Sequence, residues 1–112
     1  MKVEADWKER GFSFGIWTDP PGQVWENYVH DTDELFMVKQ GTVELEMQGR
    51  RFCPEIGEEV LIPGGVTHSV RNVGGSTCRW FYGYKRWLNE EIYKSGSVRI
   101  TNRRGTRKKG AK

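Results

Sequence analysis

Residues 28–41 decide the fold: Tyr28-Val29-His30-Asp31-Thr32-Asp33-Glu34-Leu35-Phe36-Met37-Val38-Lys39-Gln40-Gly41. They place an imidazole (His30) and a carboxylate (Glu34) close together at the opening of what reads as a β-hairpin. A second stretch, residues 57–72, supplies His68 just after Pro63-Gly64-Gly65. The chain has two histidines, and both fall in these stretches. A metal or acid/base pocket is the first hypothesis they raise; a pair of ordinary strand ends is the alternative.

Working outward, Val24 to His30 reads as the preceding strand. A period of two puts Val24, Glu26, Tyr28 and His30 on one side and Trp25, Asn27 and Val29 on the other. After the corner at residues 31–33, Glu34 to Val38 resumes as a strand and turns at Lys39-Gln40-Gly41. In Thr42 to Met47, Val43, Leu45 and Met47 face the core while Glu44 and Glu46 face water. Short strands follow at Arg51–Pro54, Glu59–Pro63, His68–Val73 and Thr77–Lys85, with Gly-containing turns between them. Upstream, Phe12 to Trp17 reads as a strand stopped by residues 18–23, because neither Pro20 nor Pro21 can donate to a ladder. Residues 1–11 are charged, with Trp7 the one large apolar group, and the pattern leaves edge strand, short helix and loose arm open. Trp87 to Tyr93 is the one plausible helix, with Leu88 and Ile92 at i, i+4. Short strands spaced by about 8–12 residues are the pattern of a sandwich or barrel.

Composition agrees. A chain of 112 residues has room for one domain. Its hydrophobic fraction, 36%, is carried largely by Trp, Tyr, Phe and Val, and fourteen glycines supply turns. The net charge of +3 conceals an asymmetry. Seven basic residues and no acidic one lie between Arg99 and Lys112, which leaves 11 bases against 15 acids, about −4, in residues 1–98. The domain is therefore expected over 1–98 and a basic, flexible tail over 99–112. The tail lacks aromatic interleaving, so a solvated tail is favoured over a nucleic-acid contact. No apolar run approaches the roughly 18 residues of a membrane span, and a cytoplasmic protein is expected. Cys53 and Cys78 have no CxxC spacing; a disulfide is open, and two reduced thiols are the plainer reading.

His30, Glu34 and His68 on neighbouring strands form the two-histidine, one-carboxylate set that suits a divalent transition metal: iron, manganese, nickel or zinc. The aromatic residues Phe14, Trp17, Trp25, Trp80, Tyr82 and Tyr84 could line a barrel mouth and hold a sugar or aromatic ligand, but core filling is favoured for most of them.

Residues 28–41 resemble the first motif of the cupin superfamily, with His30, Glu34 and Gly41 in its second-histidine, glutamate and glycine places. Residues 57–72 resemble the second motif through Gly57, Pro63, Gly65, His68 and Asn72. The motif core spans residues 24–84. The resemblance implies an all-β, double-stranded β-helix of jelly-roll type, a barrel of two antiparallel sheets closing over a pocket, to which the residue pattern adds the short C-terminal helix and the basic tail. It implies a metal on His30, Glu34 and His68, a small-molecule ligand or substrate, and a homodimer. Tyr28 stands where the motif's first histidine is expected, so a phenol replaces a ligand; its role here is a hydrogen-bonding or acid/base group, or with iron(III) or copper a phenolate ligand. The implied functions are a metal-dependent enzyme of dioxygenase, isomerase or lyase type, or a non-enzymatic binding or sensing module, with or without metal.

Overall fold

The computed structural model describes residues 1–86. The helix expected over 87–93 and the basic tail lie outside them.

Eight strands follow one helix: α1 (Lys2–Glu9), β1 (Gly15–Asp19), β2 (Val24–Tyr28), β3 (Glu34–Gln40), β4 (Val43–Met47), β5 (Arg50–Phe52), β6 (Glu59–Ile62), β7 (His68–Asn72) and β8 (Cys78–Tyr84). Two four-stranded antiparallel sheets result, ordered β1-β8-β3-β6 and β2-β7-β4-β5. No ladder joins them among the described residues, so the expected barrel is an open jelly-roll sandwich. The β1–β2 corner shows why: Pro20 and Pro21 remove two N–H donors where the chain passes from one sheet to the other.

The core between the sheets follows the period of two. Phe36 and Val38 of β3, Val43 and Leu45 of β4, Ile62 of β6 and Trp80 of β8 are essentially fully buried. The opposite face of the β1-β8-β3-β6 sheet carries a second apolar layer, with Leu35 and Phe81 packed against Trp7 and Phe12. Within the first eleven residues the structure forms a helix over Lys2–Glu9. Val3 and Trp7 at i, i+4 face the sheet, and Glu4–Lys8 pair on the exposed side at 2.8 Å. Trp7 donates its indole N–H to Glu59 Oε1 (3.1 Å), and Arg10 grips the same carboxylate with two bonds of 2.9 and 2.7 Å. The outer face of the other sheet is polar; Arg71 there binds Glu26, Glu44 and Glu46.

Two local expectations are corrected. β1 starts at Gly15 and runs through Asp19, whose carboxylate is buried rather than part of a surface turn. In β2 the period of two breaks: a register shift lies between Trp25 and Tyr28, and Asn27 has φ of 57°. Asn27 N–H donates to Ser69 Oγ at 2.9 Å, which pins the bulge. Tyr28 is thereby turned onto Trp25, with ring centroids 6.2 Å apart, instead of sharing a side with Glu26. Cys53 is exposed and Cys78 buried, with no disulfide between them. No helix among the described residues is long and apolar enough to cross a membrane.

Candidate metal centre

Three loops converge at one end of the sandwich. His30 lies two residues beyond β2, and its carbonyl accepts from Gly65 N–H (2.7 Å). Asp33 Oδ1 accepts from Gly64 N–H (2.8 Å), and Asp33 O accepts from Lys85 N–H (2.9 Å). Residue 64 has to be glycine: a Cβ there would sit 2.6 Å from the carbonyl oxygen of Asp31. This contact draws the segment before His68 onto the segment after His30.

Glu34 opens β3 and pairs with Tyr84 of β8 and Ile62 of β6, so its side chain points between the sheets. It is 1% exposed, His68 is 4% and His30 is 7%, which places two imidazoles and a carboxylate inside the protein together. His30 Nε2 is 2.9 Å and His68 Nε2 is 3.8 Å from Glu34 Oε1. The possible ligand atoms of the three residues lie within 4.8 Å of one another.

The other ring nitrogens fix what these atoms can do. His30 Nδ1 is 2.9 Å from Thr32 O, and His68 Nδ1 is 3.0 Å from Val66 O. A carbonyl only accepts, so each Nδ1 carries hydrogen. In its neutral form each ring then presents its Nε2 lone pair to the carboxylate. Three electron-pair donors aimed at one another repel unless a proton or a metal cation stands among them. Backbone carbonyls holding the remote imidazole N–H are also what orients histidine ligands around transition metals. The donor set fits such an ion.

The sequence proposed Tyr28 as the phenol of the site. Tyr28 pairs in register with His68, and its ring meets Trp25. The phenol packed on the histidines is Tyr84, edge-on to His30 with centroids 5.0 Å apart. Burial pushes its pKa well above the usual phenol value, with smaller contributions from Glu34 and Tyr82. Tyr82, 5.9 Å from Tyr84, is raised for the same leading reason. Asn72, the last residue of the second motif, is structural: its side-chain N–H group donates to Pro20 O (2.9 Å) and Ser76 O (3.0 Å), and its Oδ1 accepts from Gly74 N–H (3.0 Å). Spacing alone could not separate that latch from a ligand.

Two antiparallel sheets enclosing this centre define the class. Residues 15–84, more than half of the chain, match the cupin domain family, and the chain belongs to that family. Solved structures agree on the fold. A predicted oxalate decarboxylase from Thermotoga maritima is 17% identical, with a TM-score of 0.62 and 71% of each chain covered. The cupin domain of Schizosaccharomyces pombe Cnp3 is 20% identical, with a TM-score of 0.63 and coverage of 81% of this chain and 66% of that one. An oxalate oxidase in complex with the substrate analogue glycolate is 22% identical, with a TM-score of 0.60 and coverage of 69% and 43%. Comparison with curated proteins finds no match.

Proposed function

We propose that this protein is a small metal-binding cupin acting on an oxygen-bearing small molecule, with His30, Glu34 and His68 holding one divalent transition metal. The observation that carries this reading is that both Nδ1–H groups are spent on carbonyls, so both Nε2 atoms face Glu34. Imidazole nitrogen with carboxylate oxygen favours iron, manganese, nickel or zinc. When bound, such an ion polarises a substrate oxygen as a Lewis acid. Two structural neighbours carry names that refer to oxalate, a small oxygen-bearing molecule, which supports the substrate class. The protein's own residues exclude water around the centre and offer Tyr84 as a protonated donor beside His30. Tyr28, on the strand facing His68, serves as a hydrogen-bonding group for the bound molecule.

The second reading is a non-enzymatic binding or sensing module, which the phenol of Tyr28 in the place of the motif's first histidine favours.

Elemental analysis of tag-free protein beside a His68→Ala variant tests the centre. About one transition metal per chain, lost in the variant, is the expected result. Wild-type protein that is empty and also refuses added iron, manganese, nickel and zinc overturns it.

A further inference from the structure

A row of aromatic rings runs from His30 across both sheets to Tyr28, the residue paired with His68. From His30 the centroid distances are 5.0 Å to Tyr84, 5.9 Å on to Tyr82, 6.5 Å to Trp17, 6.1 Å to Trp25 and 6.2 Å to Tyr28. These rings come from both sheets. Trp17 on β1 and Trp25 on β2 meet across the seam where no ladder closes the barrel. Trp17, Trp25 and Tyr82 pack against the core but are less buried than its own aromatics: Trp80 and Phe36 are fully buried, whereas Trp17, Trp25, Tyr28 and Tyr82 are all half-buried.

Asp19 organises the row. Its carboxylate is 4% exposed and accepts the indole N–H of Trp17 at 2.8 Å through one oxygen and that of Trp25 at 2.7 Å through the other. A buried carboxylate is expensive unless its oxygens are hydrogen-bonded, and here those bonds fix two rings at 75° to each other. Gly15 does the same for Tyr82: a Cβ at residue 15 would lie 2.5 Å from the ring, so the phenol rests directly on the β1 backbone.

The charge inside the sandwich is equally specific. Every described Lys and Arg is exposed except Arg71, which is held by three glutamates on the outer face. Among the described residues a small dianion entering this site would meet no cationic side chain, and the proposed metal ion would be its one positive partner. A sugar would bring several hydroxyls against a wall whose indole N–H groups already serve Asp19 and whose other polar groups are the phenols of Tyr28, Tyr82 and Tyr84, and each further hydroxyl buried without a partner is unfavourable. A flat ring meets neither difficulty, since ring faces and edges are what the wall supplies.

We propose that the ligand is a planar aromatic molecule carrying oxygen donors, its ring seated against Trp17, Trp25 and Tyr82 and its oxygens turned toward His30, Glu34 and His68, with Asp19 as the positioning residue for the two tryptophans. The oxygen end of this assignment rests on the metal reading; the ring end does not.

The test titrates four probes, followed by tryptophan fluorescence and calorimetry, into the metal-free and the zinc-loaded protein. Phenol has the ring without a chelate, catechol has both, oxalate has the chelate without a ring, and glucose has neither. Phenol and catechol are expected to bind both forms, with catechol tightened by zinc, and oxalate to bind weakly and only with zinc. Trp25→Ala is expected to weaken phenol and catechol about tenfold, the size of one lost aromatic contact, and to leave oxalate and zinc uptake unchanged. Asp19→Asn, which keeps the shape of the side chain, should weaken phenol, alter the near-ultraviolet dichroism of the tryptophan pair and leave zinc uptake intact. Failure of zinc to bind while phenol still does overturns the metal reading and sustains the ring site. The ring site is overturned if phenol and catechol bind neither form, if oxalate or glucose binds more tightly than catechol, or if Trp25→Ala leaves catechol unaffected. An Asp19→Asn protein with unchanged phenol affinity removes Asp19 from the assignment.

Discussion

His30 Nε2 lies 2.9 Å from Glu34 Oε1 inside the sandwich, while the same ring's Nδ1–H is held by Thr32 O. His68 repeats the arrangement from the other sheet. A cation among these donors stabilises the folded state only, because the unfolded chain does not hold the three side chains together. Added zinc at a hundredfold excess over its Kd is therefore expected to raise unfolding stability by about 2.7 kcal/mol in urea titrations. His68→Ala and Glu34→Gln should abolish the rise. A wild-type midpoint indifferent to zinc, iron, manganese and nickel would count against the centre.

Tyr28 stands in place of a ligand, and its two roles part experimentally. As a hydrogen-bonding group it contributes nothing to the coordination bonds, so Tyr28→Phe should retain metal affinity to within about threefold, under 1 kcal/mol. As a phenolate ligand to iron(III) or copper it would give a visible charge-transfer band, and the variant would lose both band and affinity. The expected outcome is no band and an unchanged titration.

How far the sequence reaches is clearest residue by residue. His30, Glu34 and His68 were legible because motif spacing is a property of the chain, and the structure brings all three together. The side taken by Tyr28 was not, because the Asn27 bulge breaks the period of two through a hydrogen bond to Ser69, forty-two residues away. Tyr84 was visible only as one ring in an alternating run; its place beside the histidines comes from the pairing of β8 with β3, which sets it opposite Glu34. Asp19 beside Pro20-Pro21 read as a turn, since nothing local shows two indole donors arriving from residues 17 and 25. Helix α1 was undecided for a different reason: in eight residues only Val3 and Trp7 face the sheet, and tertiary packing rather than propensity holds so short a helix.

That packing makes Trp7 a test of the outer layer. Trp7 is fully buried against Phe14 and Phe81, at centroid distances of 5.6 and 6.4 Å. Trp7→Ala is expected to lose about 3–5 kcal/mol in urea unfolding. The layer lies on the far side of the sheet from the histidines, so metal uptake below the transition should survive. A loss under about 1 kcal/mol would show that α1 is not part of the cooperative unit.

Glu59 links α1 to β6 and supplies a pH signature. The Arg10 guanidinium, with help from the Trp7 indole, holds the Glu59 carboxyl below its usual range. A carboxyl whose pKa is lower in the folded than in the unfolded state binds protons more readily when unfolded. Its contribution is therefore complete above the unfolded pKa, about 4.5, and fades as pH falls through the lower folded value. The Arg10–Glu59 pair is partly exposed, so removing it by Glu59→Gln should lower stability by about 1 kcal/mol at neutral pH. Urea midpoints of wild type and variant should stay apart from pH 7 down to roughly 5 and converge below 4. A gap that persists undiminished at acid pH would mean that Glu59 stabilises α1 through packing and not through its charge.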